Sequence, residues 1–92
     1  MLALHAIADP TRRAMIELIA RQGASPASAI STQFSMTPSA ISQHLKVLVE
    51  AGLLSREVRG QQRIYRLNPQ AFGEIEKWLE RTKWFWMQSG GG

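Results

Sequence analysis

The chain has 92 residues and no cysteine, and 11 basic residues against 7 acidic ones give a formal net charge of +4. This length fits one small domain, and the lack of cysteine excludes a disulfide framework, a thiolate metal site and a cysteine nucleophile. The basic surplus favours a polyanionic partner, nucleic acid ahead of an acidic membrane surface. We expect a globular, cytoplasmic protein.

The N-terminal segment predicts two helices. Leu2–Ala8 forms the first, and Asp9 with Pro10 supplies an N-cap and a first-turn proline for a second helix, from Pro10 to about Arg21. The charges that follow Leu2–Ala8 exclude a secretory signal, and no stretch of the chain is apolar enough for a membrane span. Arg12 and Arg13 oppose the dipole of the second helix, so either Asp9 or a phosphate should pair with them, and we favour Asp9.

The central segment predicts a helix-turn-helix. Ser25-Pro26 repeats the cap-and-proline signal before a short helix from Ala27 to about Phe34, and Thr37-Pro38 repeats it before a helix from Pro38 to Ala51. A three-residue turn, Ser35 to Thr37, separates the two, which is typical of helix pairs whose second member lies in the DNA major groove.

The C-terminal half predicts a β-hairpin and a long helix. Leu53–Arg59 and Gln62–Leu67 alternate in polarity around Gly60, so they should form a wing beside the preceding helix. Asn68-Pro69 starts a last helix that runs to about Gln88, and residues 89–92 are expected to be a flexible tail. Residues 1–88 would therefore be one mainly α-helical domain, a winged helix-turn-helix.

Candidate DNA contacts follow from the face that the Pro38–Ala51 helix leaves exposed once Ile41, Leu45 and Leu48 face inward. Short polar side chains remain there, and a glutamine can pair with adenine while a serine can bind a base edge or a phosphate. Each candidate also has a role that does not involve DNA: Thr37 can simply cap the helix, and His44 can pack against the domain. The arginines of the hairpin can keep an edge strand soluble, and Arg56 and Arg66 can face either DNA or the domain. The candidate DNA-binding residues are Thr37, Ser39, Ser42, Gln43, His44, Lys46, Arg59, Gln61 and Arg63.

The last helix carries more apolar surface than a small domain can cover. An ordinary core position accounts for Phe72 and Ile75, but not for the run from Trp84 to Met87, so a second copy of the chain is the expected partner. A membrane-surface role is weaker, because glutamates on this helix would face anionic lipid. The candidate dimer-interface residues are Leu2, Leu4, Ile7, Trp78, Phe85 and Trp86.

Three segments resemble the ArsR-type winged-helix repressors: ADPTRRAMIELI, the run from Ser39 to Pro69, and the closing WLERTKWFW. The resemblance implies a symmetric dimer built from the first and last helices, and repression of the protein's own operon through an imperfect palindrome. It also implies that Ser39, Ser42 and Gln43 match base-reading and phosphate-binding positions and that the hairpin around Gly60 is the wing. Metal-sensing members carry cysteines where this chain has Ala27-Ser28-Ala29, which argues against metal sensing.

The sequence therefore predicts a dimeric, sequence-specific regulator of transcription that binds double-stranded operator DNA. The alternative is a winged helix used as a protein-interaction module, with the tryptophan surface bound to another chain. No clustered acid and base residues and no phosphate loop point to an enzyme, and no cofactor or metal is expected. A small-molecule inducer is compatible with the sequence, which does not identify one.

Overall fold

The computed structural model describes residues 2–90, which form five helices and a small antiparallel sheet. In chain order the elements are α1 (Leu2–Ile7), α2 (Pro10–Gln22), β1 (Ser25–Pro26), α3 (Ala27–Ser31), α4 (Pro38–Glu50), β2 (Leu54–Arg59), β3 (Gln62–Leu67) and α5 (Pro69–Gln88). The predicted class, mainly helical with a small hairpin, is confirmed. No helix within the described range combines the length and apolar character needed to cross a bilayer.

Three of the four predicted helix starts are confirmed by side-chain capping. The side chains of Asp9, Thr37 and Asn68 accept hydrogen bonds from backbone N–H groups in the first turns of α2, α4 and α5, and a proline follows each cap. Each cap satisfies a donor that has no partner inside the helix, and the proline occupies a position where no N–H is needed.

The fourth predicted helix also begins at the predicted residue, Ala27, but the prediction that Ser25 is its N-cap is wrong. Ser25 lies in strand β1, where it pairs with Tyr65 of β3, and its hydroxyl donates to the carbonyl of Gly23 at 2.8 Å. Helix α3 consequently begins without a side-chain cap. The sheet has three strands in the order β1-β3-β2 rather than the two of an isolated hairpin, and β1 anchors the start of the helix-turn-helix to the wing.

Helix α3 is three residues shorter than predicted. After Ser31 the N–H groups of Gln33 and Phe34 donate to carbonyls three residues back, and the Thr32 hydroxyl donates to Ala29 O at 2.8 Å. These bonds tighten the chain into turns, so the connection between α3 and α4 is residues 32–37 instead of residues 35–37.

Gly52 closes the C-terminus of α4. It has φ +79°, and its N–H donates to Val49 O while the N–H of Leu53 donates to Leu48 O, the pattern of a Schellman motif. Strand β2 then starts at Leu54. At the wing tip, Gly60 has φ +60° at the first of two loop residues, where a type II′ hairpin requires glycine.

The core lies between the helices and the inner face of the sheet. Ile41, Leu45 and Leu48 of α4 are buried as predicted, whereas α1 buries alanines in place of its larger residues. The buried apolar residues are Ala3, Ala6, Met15, Ile16, Leu18, Ile19, Ile30, Ile41, Leu45, Leu48, Leu53, Leu54, Tyr65, Ala71 and Ile75.

The corner between α1 and α2 is held by arginines, but not through the predicted pairing with Asp9. Arg12 Nε donates to Ala6 O at 2.7 Å, and Arg13 Nη1 donates to Ile7 O at 2.7 Å. The guanidinium groups thus satisfy the carbonyls at the C-terminus of α1, where positive charge is favoured by the helix dipole. Asp9 instead caps α2 through the N–H of Arg12 at 2.9 Å.

Helix α5 packs on the domain only through its first turns. Ala71 and Ile75 are buried, and every residue from Glu76 to Gly90 is exposed. The helix has 20 residues, about 30 Å in length, and it draws the molecule out to 54 × 24 × 21 Å. Ser89 and Gly90 close the helix with hydrogen bonds to Phe85 O and Met87 O. Of the predicted flexible tail, Gly91 and Gly92 lie outside the described residues.

Candidate nucleic-acid interface

One face of α4 is a continuous polar surface. Ser39, Ser42, Gln43 and Lys46 are all exposed, and their spacing places them along one side of the helix. Thr37 is exposed at the N-terminal tip of α4, where its hydroxyl accepts from Ala40 N at 3.1 Å. We call the five residues the α4 stripe. It offers uncharged hydrogen-bonding groups and one ammonium, the chemistry required to contact base edges and phosphates.

His44 lies apart from the α4 stripe. Its side chain is half-buried, and Nδ1 lies 4.0 Å from Oδ2 of Asp9 at the start of α2. The pKa of Asp9 is lowered, first by the hydrogen bond from Arg12 N, and His44 contributes in the same direction. This placement favours packing against α2 over contact with a phosphate, the two interpretations that the sequence left open.

The strand register divides the wing into two faces. Arg56 pairs with Tyr65 and Val58 pairs with Arg63, so these side chains share the inner face, which continues the core. The inner face meets the α4 stripe at a cleft of ≈ 300 Å³. The cleft is lined by Ser42, Lys46, Val49, Glu50, Arg56, Arg63 and Tyr65. Helix α4 and the wing therefore present one joined surface.

On the inner face, Arg56 and Arg63 are both exposed, and neither forms an ion pair with a carboxylate in the described part of the chain. The neighbouring ion pair, Lys46 Nζ to Glu50 Oε1 at 4.0 Å, is highly exposed and contributes little to stability. Both guanidinium groups are thus available to an anion at the edge of the α4 stripe.

The outer face of the wing is partly neutralised by Glu57. Its Oε1 accepts from Arg59 Nε at 2.8 Å, and its Oε2 accepts from Arg66 Nη1 at 2.7 Å. The hydrogen bond from Arg59, followed by that from Arg66, lowers the pKa of Glu57, and Glu57 in turn raises the pKa of Arg59. Arg59, a predicted DNA contact, therefore carries a charge that a carboxylate already balances.

The three predicted DNA contacts of the wing thus lie on different parts of it. Arg63 lies on the inner face, Arg59 lies on the outer face, and Gln61 is exposed at the tip. Arg56, which the sequence left between DNA and the domain, lines the cleft beside Ser42. The alternation of side chains along a strand is the signal that predicts this arrangement. Arg56 lies two residues after the buried Leu54, and Arg63 lies two residues before the buried Tyr65, so both arginines lie on the face of the hairpin that faces the core.

The aromatic residues of α5 form a second exposed surface. Phe85 is 65% exposed, Trp86 59% and Trp84 56%, and the rings of Trp84 and Phe85 contact edge to face with centroids 5.2 Å apart. Of the predicted interface residues, Trp78 is also exposed, Leu2 is 70% exposed, and Leu4 and Ile7 are half-buried against the core. Residues 2–90 hold no group of three or more potential metal ligands.

Comparison with known proteins agrees with this geometry. Residues 7–57 match the family described as a helix-turn-helix domain. The chain is 34% identical over 87 residues to the HTH-type transcriptional regulator Rv2034 of Mycobacterium tuberculosis, covering 95% of this chain and 78% of the relative. It is also 34% identical over 74 residues to the transcriptional repressor SdpR of Bacillus subtilis, covering 80% of this chain and 81% of the relative.

Solved structures extend the similarity to the whole fold. A crystal structure of an ArsR family transcriptional regulator superposes with a TM-score of 0.87 at 27% identity, covering 94% of this chain and 88% of that one. A homodimeric winged helix-turn-helix domain from Mycobacterium bovis shares the fold, with a TM-score of 0.71 at 23% identity over 89% of this chain and 75% of that one. The chain therefore belongs to the ArsR family of winged helix-turn-helix proteins, and it is a DNA-binding regulator of transcription.

Proposed function

We propose that the protein is a homodimeric repressor that binds an imperfect palindrome through two copies of the α4 stripe and two wings. The observation that carries this proposal is the cleft at which Ser42 and Lys46 of α4 meet Arg56 and Arg63 of the wing. It joins groups that read bases to groups that bind phosphate. The polar stripe supplies sequence preference, and the arginines supply affinity.

The α4 stripe fits the major groove. Gln43 is the exposed side chain that can pair bidentately with adenine, and Ser39 and Ser42 lie one turn or less from it. Thr37 and the adjacent N–H groups at the start of α4 are suited to a backbone phosphate. Lys46, further along the stripe, adds a cation. His44 has no base-reading role in this proposal, because it faces α2.

The wing follows the neighbouring sugar-phosphate backbone. Arg63 and Arg56 face the same side as the α4 stripe, so a helix seated in the major groove brings both guanidinium groups toward phosphates. Arg59 and Gln61 at the tip extend the contact, Arg59 more weakly because Glu57 competes for its guanidinium. Affinity should therefore fall steeply with salt.

A second copy of the chain accounts for the aromatic surface of α5. Burying the exposed rings of two chains against each other and against α1 removes apolar area that one domain leaves in water. A two-fold axis would then set two α4 helices about 34 Å apart, facing half-sites about 10 base pairs apart. The homodimeric state of the M. bovis domain, which has the same fold, supports this arrangement.

Repression is the proposed outcome of binding, in keeping with the name of the transcriptional repressor SdpR. The cytoplasm is the proposed location, because a regulator of transcription has to reach its DNA. Occupying a promoter is enough to block transcription. The signal that releases the protein from DNA is proposed to be a small molecule rather than a soft metal, since the chain has no cysteine.

Selection of bound sequences from a random duplex pool tests the proposal. We expect a two-fold symmetric motif with half-sites about 10 base pairs apart, at a stoichiometry of two chains per duplex. Light scattering of the free protein should give a dimer. A monomer that selects no motif would instead favour the protein-interaction module, and an enriched motif without symmetry would overturn the proposed dimer on a palindrome.

A further inference from the structure

Glu57 is unusual among the charged residues of the wing. It is the only acidic residue between Gly52 and Asn68 in the sequence, and each of its two carboxylate oxygens accepts from a different arginine. Arg59 lies two residues away on the same strand, and Arg66 lies on the neighbouring strand. All three side chains share the outer face, so a single carboxylate restrains the two cations of that face.

The two faces of the wing therefore differ in available charge. The inner face presents Arg56 and Arg63 beside the α4 stripe, while Arg59 and Arg66 on the outer face share one carboxylate. Glu57 accepts only from Nε of Arg59 and Nη1 of Arg66, so other N–H donors of both guanidinium groups remain, but the carboxylate balances their positive charge and itself repels a phosphate. Charge for DNA binding is thus concentrated on the side where α4 can read the bases.

This asymmetry matters most for DNA of random sequence. Sequence-independent binding depends on the number of phosphates that cations neutralise, and it tolerates many orientations of the protein. Specific binding has one orientation, fixed by α4 in the major groove, in which the inner face of the wing lies toward the duplex. Freed outer arginines would strengthen the random complexes more than the specific one.

We propose that Glu57 is a specificity-determining residue, which withholds Arg59 and Arg66 from sequence-independent phosphate contacts. The inference rests on the proposed function, because it presupposes that the inner face of the wing accompanies α4 onto DNA. It assigns to a carboxylate on the wing a role in the ratio of specific to random binding, rather than in affinity for the operator.

Glu57→Gln tests the inference, because it keeps the size of the side chain and removes its charge. Affinity for a random 30-base-pair duplex and for the selected site would be measured by fluorescence anisotropy across a salt series. We expect random-duplex affinity to rise about 3- to 10-fold at low salt, with a log–log salt slope steeper by about one per protomer. Affinity for the selected site should rise less than about twofold, so that specificity falls.

Glu76→Gln on the exposed part of α5 is the matched control, because it removes the same charge far from the wing. It should change random-duplex affinity less than about twofold. Adding Arg59→Gln to Glu57→Gln should remove a large part of the gain. Binding to the selected site requires the folded chain, so retained affinity for that site shows that a gain on random DNA does not come from unfolding.

Two results would overturn the inference. One is an equal gain for Glu76→Gln, which would mean that net charge alone is responsible. The other is a loss of affinity for both DNAs in Glu57→Gln, which would mean that Glu57 positions Arg59 for binding. Failure of the proposed function is distinguishable, because the unmodified protein would then bind the selected and random duplexes equally.

Discussion

The α4 stripe and the distal half of α5 are the two large exposed features of the molecule, and their chemistry is opposite. The stripe carries hydroxyl, amide and ammonium groups, which water solvates well. The distal helix carries Trp84, Phe85, Trp86 and Met87, all more than half exposed. One surface can remain in water until DNA arrives, whereas the other is stable only when covered.

This difference indicates two kinds of partner. Burying one large apolar side chain contributes about 1.5–3 kcal/mol, so several aromatic residues from each of two chains favour a permanent contact. Polar groups that leave water for a partner with matched donors and acceptors gain little net free energy, because they only exchange one set of hydrogen bonds for another. The α4 stripe is therefore suited to a reversible contact. The dimer is therefore expected to persist with or without DNA.

Phe85→Glu should break the apolar surface and give the largest effect. Because the dimer is two-fold symmetric, the substitution removes two phenyl groups from the interface and places two negative charges there. The free energy of dimerisation should therefore weaken by about 4 kcal/mol, roughly 1,000-fold in the dissociation constant. Sedimentation velocity should show a monomer at micromolar concentration, and binding to the selected palindrome should fall in parallel. Gln88→Glu, an equal charge change one turn on, is the control. A Phe85→Glu dimer would remove α5 from the interface.

Gln43→Ala should break sequence recognition and leave the dimer intact. A bidentate contact to adenine contributes about 1–3 kcal/mol, so affinity for the selected site should fall about 10- to 100-fold. Random-duplex affinity should change little, since no phosphate contact is lost. Gln70→Ala, at the exposed start of α5, is the matched control. Equal losses on both DNAs in a gel-shift series would exclude Gln43 from base reading.

Arg63→Ala should weaken specific and random binding alike. The salt slope should flatten by about one per protomer, because one phosphate contact is lost from each wing. Arg59→Ala should act in the same direction but less strongly, because Glu57 already holds its guanidinium. Salt titrations of both variants on one duplex make this comparison. A larger loss for Arg59→Ala would show that the outer face of the wing meets the DNA first.

Local signals in the sequence predicted most of the fold. Asp9, Thr37 and Asn68, each followed by proline, start helices because capping depends only on residues within one turn. Ser25 carries the same signal, and a helix does begin at Ala27, but Ser25 does not cap it, because it pairs with Tyr65, which is distant in the sequence. A strand pairing of that range overrides a local preference and leaves no trace in nearby residues.

The sequence predicted the helical part of the candidate site but not the division of the wing, because the latter depends on contacts between residues that are distant in the sequence. Helix periodicity correctly predicted that four side chains of α4 are exposed, because its buried residues determine which face points to solvent. These are Ser39, Ser42, Gln43 and Lys46. The division of the wing depends on the register of β2 against β3 and on which face meets α4. Arg12 and Arg13 bind carbonyl groups at the C-terminus of α1, whose position depends on how α1 packs against α2. From the sequence, Asp9 was the only nearby protein group that could be named as a partner.

Thr37→Ala gives the smallest expected effect and separates the two roles of the residue at the tip of α4. Its hydroxyl caps the helix by accepting from Ala40 N at 3.1 Å. Loss of a threonine cap costs about 1 kcal/mol of folding stability, whereas Thr37→Ser keeps the oxygen and should cost only a few tenths. Urea unfolding compares the two variants with the unmodified protein.

DNA binding by the same pair then decides what else the hydroxyl does. If capping is the main role, Thr37→Ala should bind the selected and random duplexes with equal, small losses, because only the start of α4 is loosened. A site-selective loss of tenfold or more, with stability unchanged, would instead make the hydroxyl a direct contact to the operator. That result would extend the base-reading part of the α4 stripe to the N-terminus of the helix.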